Sequence, residues 1–408
     1  MDILPILTTL RRHKTAAALI VFEVALTCAI ICNAVFLIQS RIARMQRPSG
    51  MVENELLRIE INGINEKGDS SALTRSDLAM LRGLPGVKAV TVSNQVRYGD
   101  SSWNTGVRLT AEQKLPTANA SNYMADAQFV ETLGLKLVAG RNFKPDEVIN
   151  FDEFNKPDAK SSIPATIISR ALAEQLFPGQ DPIGKNVYTW GDDPIPVVGV
   201  VEHLLRPNES NGLSTAGNSM IYPFEMSYNN GLYLLRVDPE RRQEIFKAAS
   251  QALSRNGPLR ILSEKNDTIE HMSDKYKQTD RSMVWLLSAV CIALLIVTAL
   301  GIVGLASFWV QQRTKQIGVR RALGATRGQI LRYFQTENFL LTSIGIVLGM
   351  ALAFAINLAL MKYYELPRLP AVYLPMGALC LWLLGQFAVY GPARRAAMVP
   401  PALATRSA

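Results

Sequence analysis

Residues 311–349 read QQRTKQIGVRRALGATRGQILRYFQTENFLLTSIGIVLG, and the change of character along this stretch decides the fold. Its first half carries Arg313, Lys315, Arg320, Arg321, Arg327 and Arg332, with no acidic residue before Glu337. Its second half runs on without a break into an apolar helix. A basic loop leading into a hydrophobic span is what a membrane protein needs at its cytoplasmic face. The expected division is a cytoplasmic segment over 311–336 followed by a membrane helix over 337–362.

Working outward, three more apolar runs are each near the ~20 residues that cross a bilayer. They are 15–38, 283–310 and 371–391. The last is interrupted by Pro375, Gly377 and Gln386. It is counted because the basic tail after it needs a side of the membrane. With 48% hydrophobic residues in 408, the composition suits a protein that is part membrane and part soluble. The remaining segments are a cytoplasmic N-terminus over 1–14, a long outer segment with stalks over 39–282, a short outer loop over 363–370 and a cytoplasmic tail over 392–408.

The net charge of +9 invites a nucleic-acid reading, but its distribution excludes one. Residues 1–14, 311–336 and 393–408 hold 12 Lys and Arg and one acidic residue, Asp2. Cations confined to short segments beside apolar spans are the positive-inside pattern. They place both termini in the cytoplasm and the 39–282 segment in the periplasm, with lipid as a partner and no nucleic acid. Arg41, Arg44 and Arg47 fall on the outer side by this count, which long translocated domains tolerate. The first span follows Arg11, Arg12 and Lys14 like a signal peptide, but its length and the lack of a small-residue cleavage site read as an uncleaved anchor.

Cys28, Cys32, Cys291 and Cys380 all fall in apolar spans, so no disulfide is expected in the outer segment. Cys28 and Cys32 are one helical turn apart, like a metal half-site, and are read as small packing residues. The three histidines are scattered, so no metal centre is expected.

The outer segment shows one pattern twice. Residues 56–61 alternate like a strand, 73–82 have helical spacing with Ser70, Ser71 and Thr74 as candidate caps, and 87–92 are again strand-like. Later, 232–237 reads as a strand, 238–254 as a helix with Pro239 near its start, and 259–262 as a strand. Two such halves form a split βαβ sheet, with 110–224 inserted as a strand-rich lobe. The fold class is therefore a four-helix membrane protein with a large α+β extracytoplasmic domain.

Two sets of motifs resemble a known family. Ile317-Gly318-Val319-Arg320-Arg321-Ala322-Leu323-Gly324-Ala325, then Gln329-Ile330 and Glu337, resembles the core of the FtsX/MacB family of ABC-transporter permeases. Gln316 stands where that family usually has Glu. The outer segment resembles the MacB-type periplasmic core domain through Glu131-Thr132-Leu133-Gly134-Leu135, Ala139-Gly140-Arg141-Asn142-Phe143 and Leu176-Phe177-Pro178-Gly179-Gln180-Asp181-Pro182-Ile183-Gly184-Lys185. Val197-Val198-Gly199-Val200-Val201 and Ile221-Tyr222-Pro223 complete that set, with Glu202 in place of the usual Asp. The 94–120 and 144–162 loops and the tail are the least typical parts.

The resemblance implies a permease subunit without catalytic residues or cofactor of its own. ATP and Mg would be bound by two copies of a separate ABC ATPase. It implies that Gln316, Ile317, Gly318, Arg320, Arg321, Leu323, Gly324, Ala325 and Arg327 form the region that couples to that ATPase. Arg320, Leu323, Arg327 and Ile330 are expected on one helical face. It further implies a homo- or heterodimer of permeases, export of a peptide, antibiotic or other small molecule by mechanotransmission, and a periplasmic adaptor with a TolC-like outer-membrane channel as possible partners. LolC/LolE-like lipoprotein extraction and FtsX-like control of cell-wall enzymes are alternatives on the same fold.

Other motifs carry less. Residues 179–185 fit GxxxxGK, but Asn186 replaces the Ser/Thr that would hold Mg and a strand follows, so a structural turn is expected. Glu23 and Glu337 are ionisable groups in apolar spans, and each is expected to find a polar or basic partner. Glu337 would brace the coupling segment. Asn33, Gln39, Asn338, Asn357 and Gln386 read as hydrogen-bonding groups between helices. Gly345 and Gly349 form a GxxxG pair that packs either within the chain or at a dimer seam. Residues 263–282 and 39–47 read as two stalks.

Overall fold

The computed structural model describes residues 14–63, 69–100, 102–156, 162–209, 215–229, 231–257, 259–364 and 368–400. The expected N-terminal segment before Lys14 and the tail beyond residue 400 lie outside them. The chain divides into two compact units, Met1–Gln46 with Thr279–Ala408, and Arg47–Gln278.

Among the described residues the first element is α1 (Lys14–Met45), after which the chain enters the second unit. There β1 (Leu56–Ile59), β2 (Ile61–Gly63), α2 (Ser70–Arg82) and β3 (Val87–Ser93) form the first half of the repeated pattern. The inserted part follows as β4 (Asn104–Val107), β5 (Ala118–Ala125), α3 (Phe129–Leu133), β6 (Leu137–Gly140), β7 (Ile149–Asn150), α4 (Phe151–Phe154), β8 (Thr166–Ser169), α5 (Arg170–Leu176), β9 (Asn186–Val187), β10 (Ile195–Val201) and β11 (Ser219–Glu225). The second half is β12 (Leu232–Val237), α6 (Arg242–Arg255) and β13 (Arg260–Leu262), followed by the short strand β14 (Asp267–Thr268).

The strand order β14-β1-β12-β3 realises the split βαβ arrangement, with β12 antiparallel to both β1 and β3. The sheet then continues through β5-β11-β8-β10-β6 into the inserted part. At the seam β3 meets β5 at one residue pair, Ser93 and Ala125. Side-chain amides extend the join: Asn94 Nδ2 and Gln95 Nε2 donate to the Asn122 carbonyl at 3.0 and 2.8 Å, and Asn94 Oδ1 accepts from Met124 N at 2.9 Å. Apolar clusters cover both faces across this seam. One joins Leu57, Val90 and Leu235 to Met124, Ile168 and Tyr222. The other joins Leu56 and Leu234 to Tyr123, Ile167 and Ile221.

Several local expectations are corrected. Residues 56–61 are two strands, because Glu60 leaves the ladder and its N–H donates to Asn266 Oδ1 at 2.6 Å. The cap of α2 is Asp69, which accepts from Ala72 N at 3.0 Å, and not Ser70, Ser71 or Thr74. A carboxylate is the stronger acceptor for an orphan N–H at a helix start. Residues 239–241 form a 3-10 turn capped by Asp238 before α6 begins. The 179–185 stretch is, as expected, a turn between α5 and β9, with no helix after the glycines. The segment over 263–282 is not wholly helical, because β14 occupies its first part.

The other unit contains α7 (Ile269–Gln312), α8 (Thr314–Ala322), α9 (Arg327–Tyr364) and α10 (Tyr373–Ala397) as well as α1. Among the described residues, α1, α7, α9 and α10 are long and apolar enough to cross a membrane. The segment over 311–336 is not a loop: it is the end of α7, all of α8, a turn and the first turns of α9.

Helix packing explains the small and polar residues of the spans. A Cβ at Gly345 would lie 2.8 Å from Val24 Cβ, and one at Gly349 would lie 2.6 Å from the Ala25 carbonyl. The GxxxG face therefore packs within the chain, on α1. Asn33 Nδ2 bridges α1 to α9 by donating to the carbonyls of Ala29 and Ala353 at 3.0 and 3.1 Å. Gln386 Nε2 reaches the Gln335 carbonyl at 3.3 Å, and Thr27 and Thr298 hydroxyls meet at 2.8 Å. Pro375 falls in the first turn of α10, where its missing N–H costs no helical bond. Arg41 and Arg44 both face Asp280, at 2.5 and 3.6 Å, so their position beyond the apolar run has a local partner.

Candidate functional site

The motif-rich segment between α7 and α9 is held by four devices that its sequence encodes. First, α8 ends in a left-handed turn at Gly324, with φ +99°. Space there is open, so the backbone conformation, not crowding, calls for glycine. The turn is closed by Ala325 N donating to the Arg320 carbonyl at 3.0 Å and Gly324 N donating to that of Arg321 at 3.2 Å. Second, Thr326 and Gln329 form a reciprocal capping box at the start of α9. Thr326 N donates to Gln329 Oε1 at 2.9 Å, and Gln329 N donates to Thr326 Oγ1 at 3.3 Å.

Third, Ile317 and Gly318 are buried. Ile317 packs with Val310, Ile330, Phe334, Ala393 and Ala396. Fourth, Arg313, at the break between α7 and α8, is buried with Glu337 of α9. Its Nη1 lies 3.0 and 2.9 Å from the two carboxylate oxygens. Arg321 Nη1 adds a tie to the end of α10 by donating to the Ala397 carbonyl at 2.5 Å.

These ties leave one surface free. Gln316, Val319, Arg320 and Leu323 share the outward face of α8 at three- and four-residue spacing. Val319 is 49% and Leu323 83% exposed. The Arg320 guanidinium lies 5.0 Å from the Tyr333 ring centroid, which orients it while leaving it exposed. Lys315, Arg327 and Arg332 are also exposed. The face joins apolar side chains to cations, the chemistry that docks on an acidic partner with an apolar cleft.

The expected single face of Arg320, Leu323, Arg327 and Ile330 is corrected, because Gly324 separates α8 from α9. Ile330 is buried, and Arg327 belongs to the second helix. Arg313 is internal and not available to a partner. Glu337 has its basic partner in Arg313. Glu23 lies against Gly301, where its carboxylate fills the space of an absent side chain. No basic or polar partner of Glu23 is found among the described residues. No cluster of metal-ligating residues occurs among the described residues.

Two glycines of the motifs over 139–143 and 197–201 have a physical role in the other unit. Gly140, at φ +70°, and Gly199 are opposite each other on β6 and β10. A Cβ at Gly140 would lie 2.2 Å from the Val198 carbonyl.

Comparison with known proteins gives matches over both units. Residues 20–253 match the MacB-like periplasmic core domain, and residues 288–401 match the FtsX-like permease C-terminal domain. The chain is 27% identical over 294 residues to the macrolide export ATP-binding/permease protein MacB of Neisseria gonorrhoeae, covering 69% of this chain and 42% of that protein. It is 25% identical over 350 residues to MacB of Campylobacter jejuni, covering 82% and 50%. It is 24% identical over 296 residues to the uncharacterized ABC transporter permease YknZ of Bacillus subtilis, covering 70% and 66%. The chain thus spans half or less of the length of these MacB relatives. Among solved structures, the extracellular domain of the noncanonic ABC-type transporter YknZ covers 51% of this chain and 100% of that chain, at 19% identity and a TM-score of 0.33. The periplasmic region of MacB from Actinobacillus actinomycetemcomitans covers 58% and 97%, at 18% identity and a TM-score of 0.32.

Proposed function

The chain belongs to the MacB/FtsX-like ABC-transporter permeases, and from that premise we propose that it couples ATP hydrolysis on a separate ABC ATPase to a conformational change in its periplasmic domain. The observation that carries this reading is the exposed face of α8. It is held by a glycine turn, a capping box and a buried ion pair, yet it leaves Val319, Arg320 and Leu323 exposed, with Arg320 over the Tyr333 ring. Two ATPase copies would dock on two such faces, one from each permease of a dimer. Motion of α8 would pass to α7, a single helix from Ile269 to Gln312 of about 66 Å at 1.5 Å per residue. With the basic segments in the cytoplasm, α7 leads from the coupling segment to the periplasmic domain without a break. The cargo class is a peptide, antibiotic or other small molecule taken from the periplasm, with an adaptor and outer-membrane channel as further partners.

The test is co-purification from native membranes followed by ATPase assay, comparing wild type with Leu323→Asp and Arg320→Glu. The expected result is an ABC ATPase recovered with wild type and lost from both variants, whose own melting is unchanged. Equal recovery from all three would remove α8 as the docking element. Absence of any ATPase under conditions that preserve the complex would overturn the transporter reading.

A further inference from the structure

A pocket of about 320 Å³ opens in the core unit between β1, the loop after β3, the loop that joins β13 to β14, and the first turns of α7. Its charged lining residues are Arg58, Asp100, Glu264, Lys265, Asp267 and Lys275. Met272 and Tyr276 of α7 supply an apolar wall. The volume is at the small end of ligand sites, which run from about 300 to 1,000 Å³.

Two departures from ordinary backbone shape this pocket. Tyr98 has φ +71°, and among the described residues no other non-glycine residue has a positive φ. That conformation is costly for a residue with a Cβ and persists only where the surroundings enforce it. Here the Tyr98 N–H donates to the Pro207 carbonyl at 2.8 Å, its hydroxyl donates to Glu53 Oε1 at 2.5 Å, and the Arg97 guanidinium lies 5.1 Å from its ring centroid. The turn brings Asp100 within 2.6 Å of Lys265 Nζ. The second departure is Glu60, whose N–H and carbonyl are both taken by the Asn266 carboxamide, at 2.6 and 3.0 Å. Arg58, itself 7% exposed, donates from Nη1 to the Lys265 carbonyl at 2.5 Å. Both loops that bear the charges of the pocket are thereby preorganised.

The Asp100 and Lys265 side chains are 78% and 65% exposed, and surface pairs of this kind contribute little, so a ligand can exchange with theirs at low cost. Glu264 and Lys275 are exposed as well. A ligand of one sign would meet like charges beside the opposite ones, whereas a ligand carrying both signs can satisfy both. We infer that this pocket binds a small zwitterion of the dipeptide type, its ammonium held by Asp100 and Glu264, its carboxylate by Lys265 and Lys275, and its apolar side chain against Met272 and Tyr276. The assignment does not depend on the ATPase reading, because binding to this pocket needs no nucleotide, and either can fail while the other stands.

The test uses the whole chain in phosphatidylglycerol nanodiscs, whose lipid carries no ammonium group. Alanyl-phenylalanine is titrated by calorimetry into wild type and into Glu264→Gln/Lys275→Gln. The double variant changes two exposed side chains of opposite charge, so its net charge and its melting curve should match wild type. Wild type should bind saturably, and the double variant should bind weaker by about tenfold or more. Acetyl-alanyl-phenylalanine amide, the same body without either charge, should bind wild type weaker by about tenfold or more. No saturable binding by wild type, equal binding of the capped peptide, or equal binding by the double variant would overturn the assignment. So would tighter binding of glycerophosphoethanolamine than of the dipeptide, which would make the pocket a lipid-headgroup site.

Discussion

Arg313 and Glu337 lie 24 residues apart in sequence and meet as an ion pair in which the single nitrogen Nη1 donates to both carboxylate oxygens, with 7% and 1% of their side chains exposed. The pair fixes the junction of α7 and α8 to α9. Removing one member leaves an uncompensated buried charge, which costs about 3–5 kcal/mol. Glu337→Gln and Arg313→Met should each lower the melting temperature of the purified chain by several degrees. The double variant Arg313→Met/Glu337→Met should recover much of the loss, because two apolar groups replace the pair. Single variants that melt like wild type would show that the pair does not hold the junction.

The glycine face of α9 predicts an asymmetry between positions. Gly349→Val must push α1 away, since its Cβ would meet Ala25 and Cys28, and overpacking of this kind costs about 1–3 kcal/mol. Gly304→Val, on α7, meets no atom within 4 Å and should be tolerated. Parallel measurements of membrane yield and thermal stability decide it, and equal effects would contradict the packing.

In the core unit Glu55 links to β12 and β3 through Arg236 Nε at 2.6 Å and Lys88 Nζ at 3.3 Å. The hydrogen bond from Arg236, helped by Lys88 and opposed by burial, holds its carboxyl below the usual carboxylate value. A depressed folded value means that the stabilisation is present above the unfolded value of about 4.3 and is lost as pH falls through the folded one. Glu55→Gln should therefore cost up to about 1 kcal/mol near neutral pH. The difference from wild type should shrink progressively in the same melting assay as pH falls below the unfolded value and through the lower folded one. A difference that persists in acid would point to packing instead of charge.

Asp77 on α2 and Arg260 on β13 form a second buried pair, at 2.6 and 3.0 Å, with neither side chain exposed. Tyr233 donates to the same carboxylate at 2.5 Å. Arg260→Met should destabilise the core unit by about 3 kcal/mol or more. Hydrogen exchange of α2 amides should rise in that variant ahead of those in β8 and β10. Unchanged exchange in α2 would show that the pair is not what anchors it.

Much of this architecture is written in local pattern. The four spans follow from hydropathy, and the split βαβ lobe follows from one strand-helix-strand order appearing twice. What escaped the sequence depended on contacts between distant residues or on backbone conformation. Nothing near Glu60 announces that Asn266 will draw its N–H out of the ladder. The basic composition of 311–336 reads as a loop, yet Gly324 divides it into two helices, and only the φ at that residue separates Arg320 from Ile330. Arg313 looks like the other cations until α9 brings Glu337 to it. Trp190 stands in a polar loop, and nothing in its local sequence announces that it will pack on Tyr222 and Phe224 of the distant strand β11.

The seam between β3 and β5 has a consequence for anyone who would dissect this protein. By chain order the inserted part looks like a module that could be excised, with the flanks rejoined into a small two-layer fold. The backbone ladder, one residue pair wide at Ser93 and Ala125, encourages that idea. The apolar clusters forbid it, because on both faces of the sheet a single core draws on both sides of the seam. Excision would strip the partners from Leu57, Val90, Leu234 and Leu235 at once and leave a fragment with a bare apolar surface. The domain is thus one cooperative body with two architectural halves, and neither half is transplantable without the other.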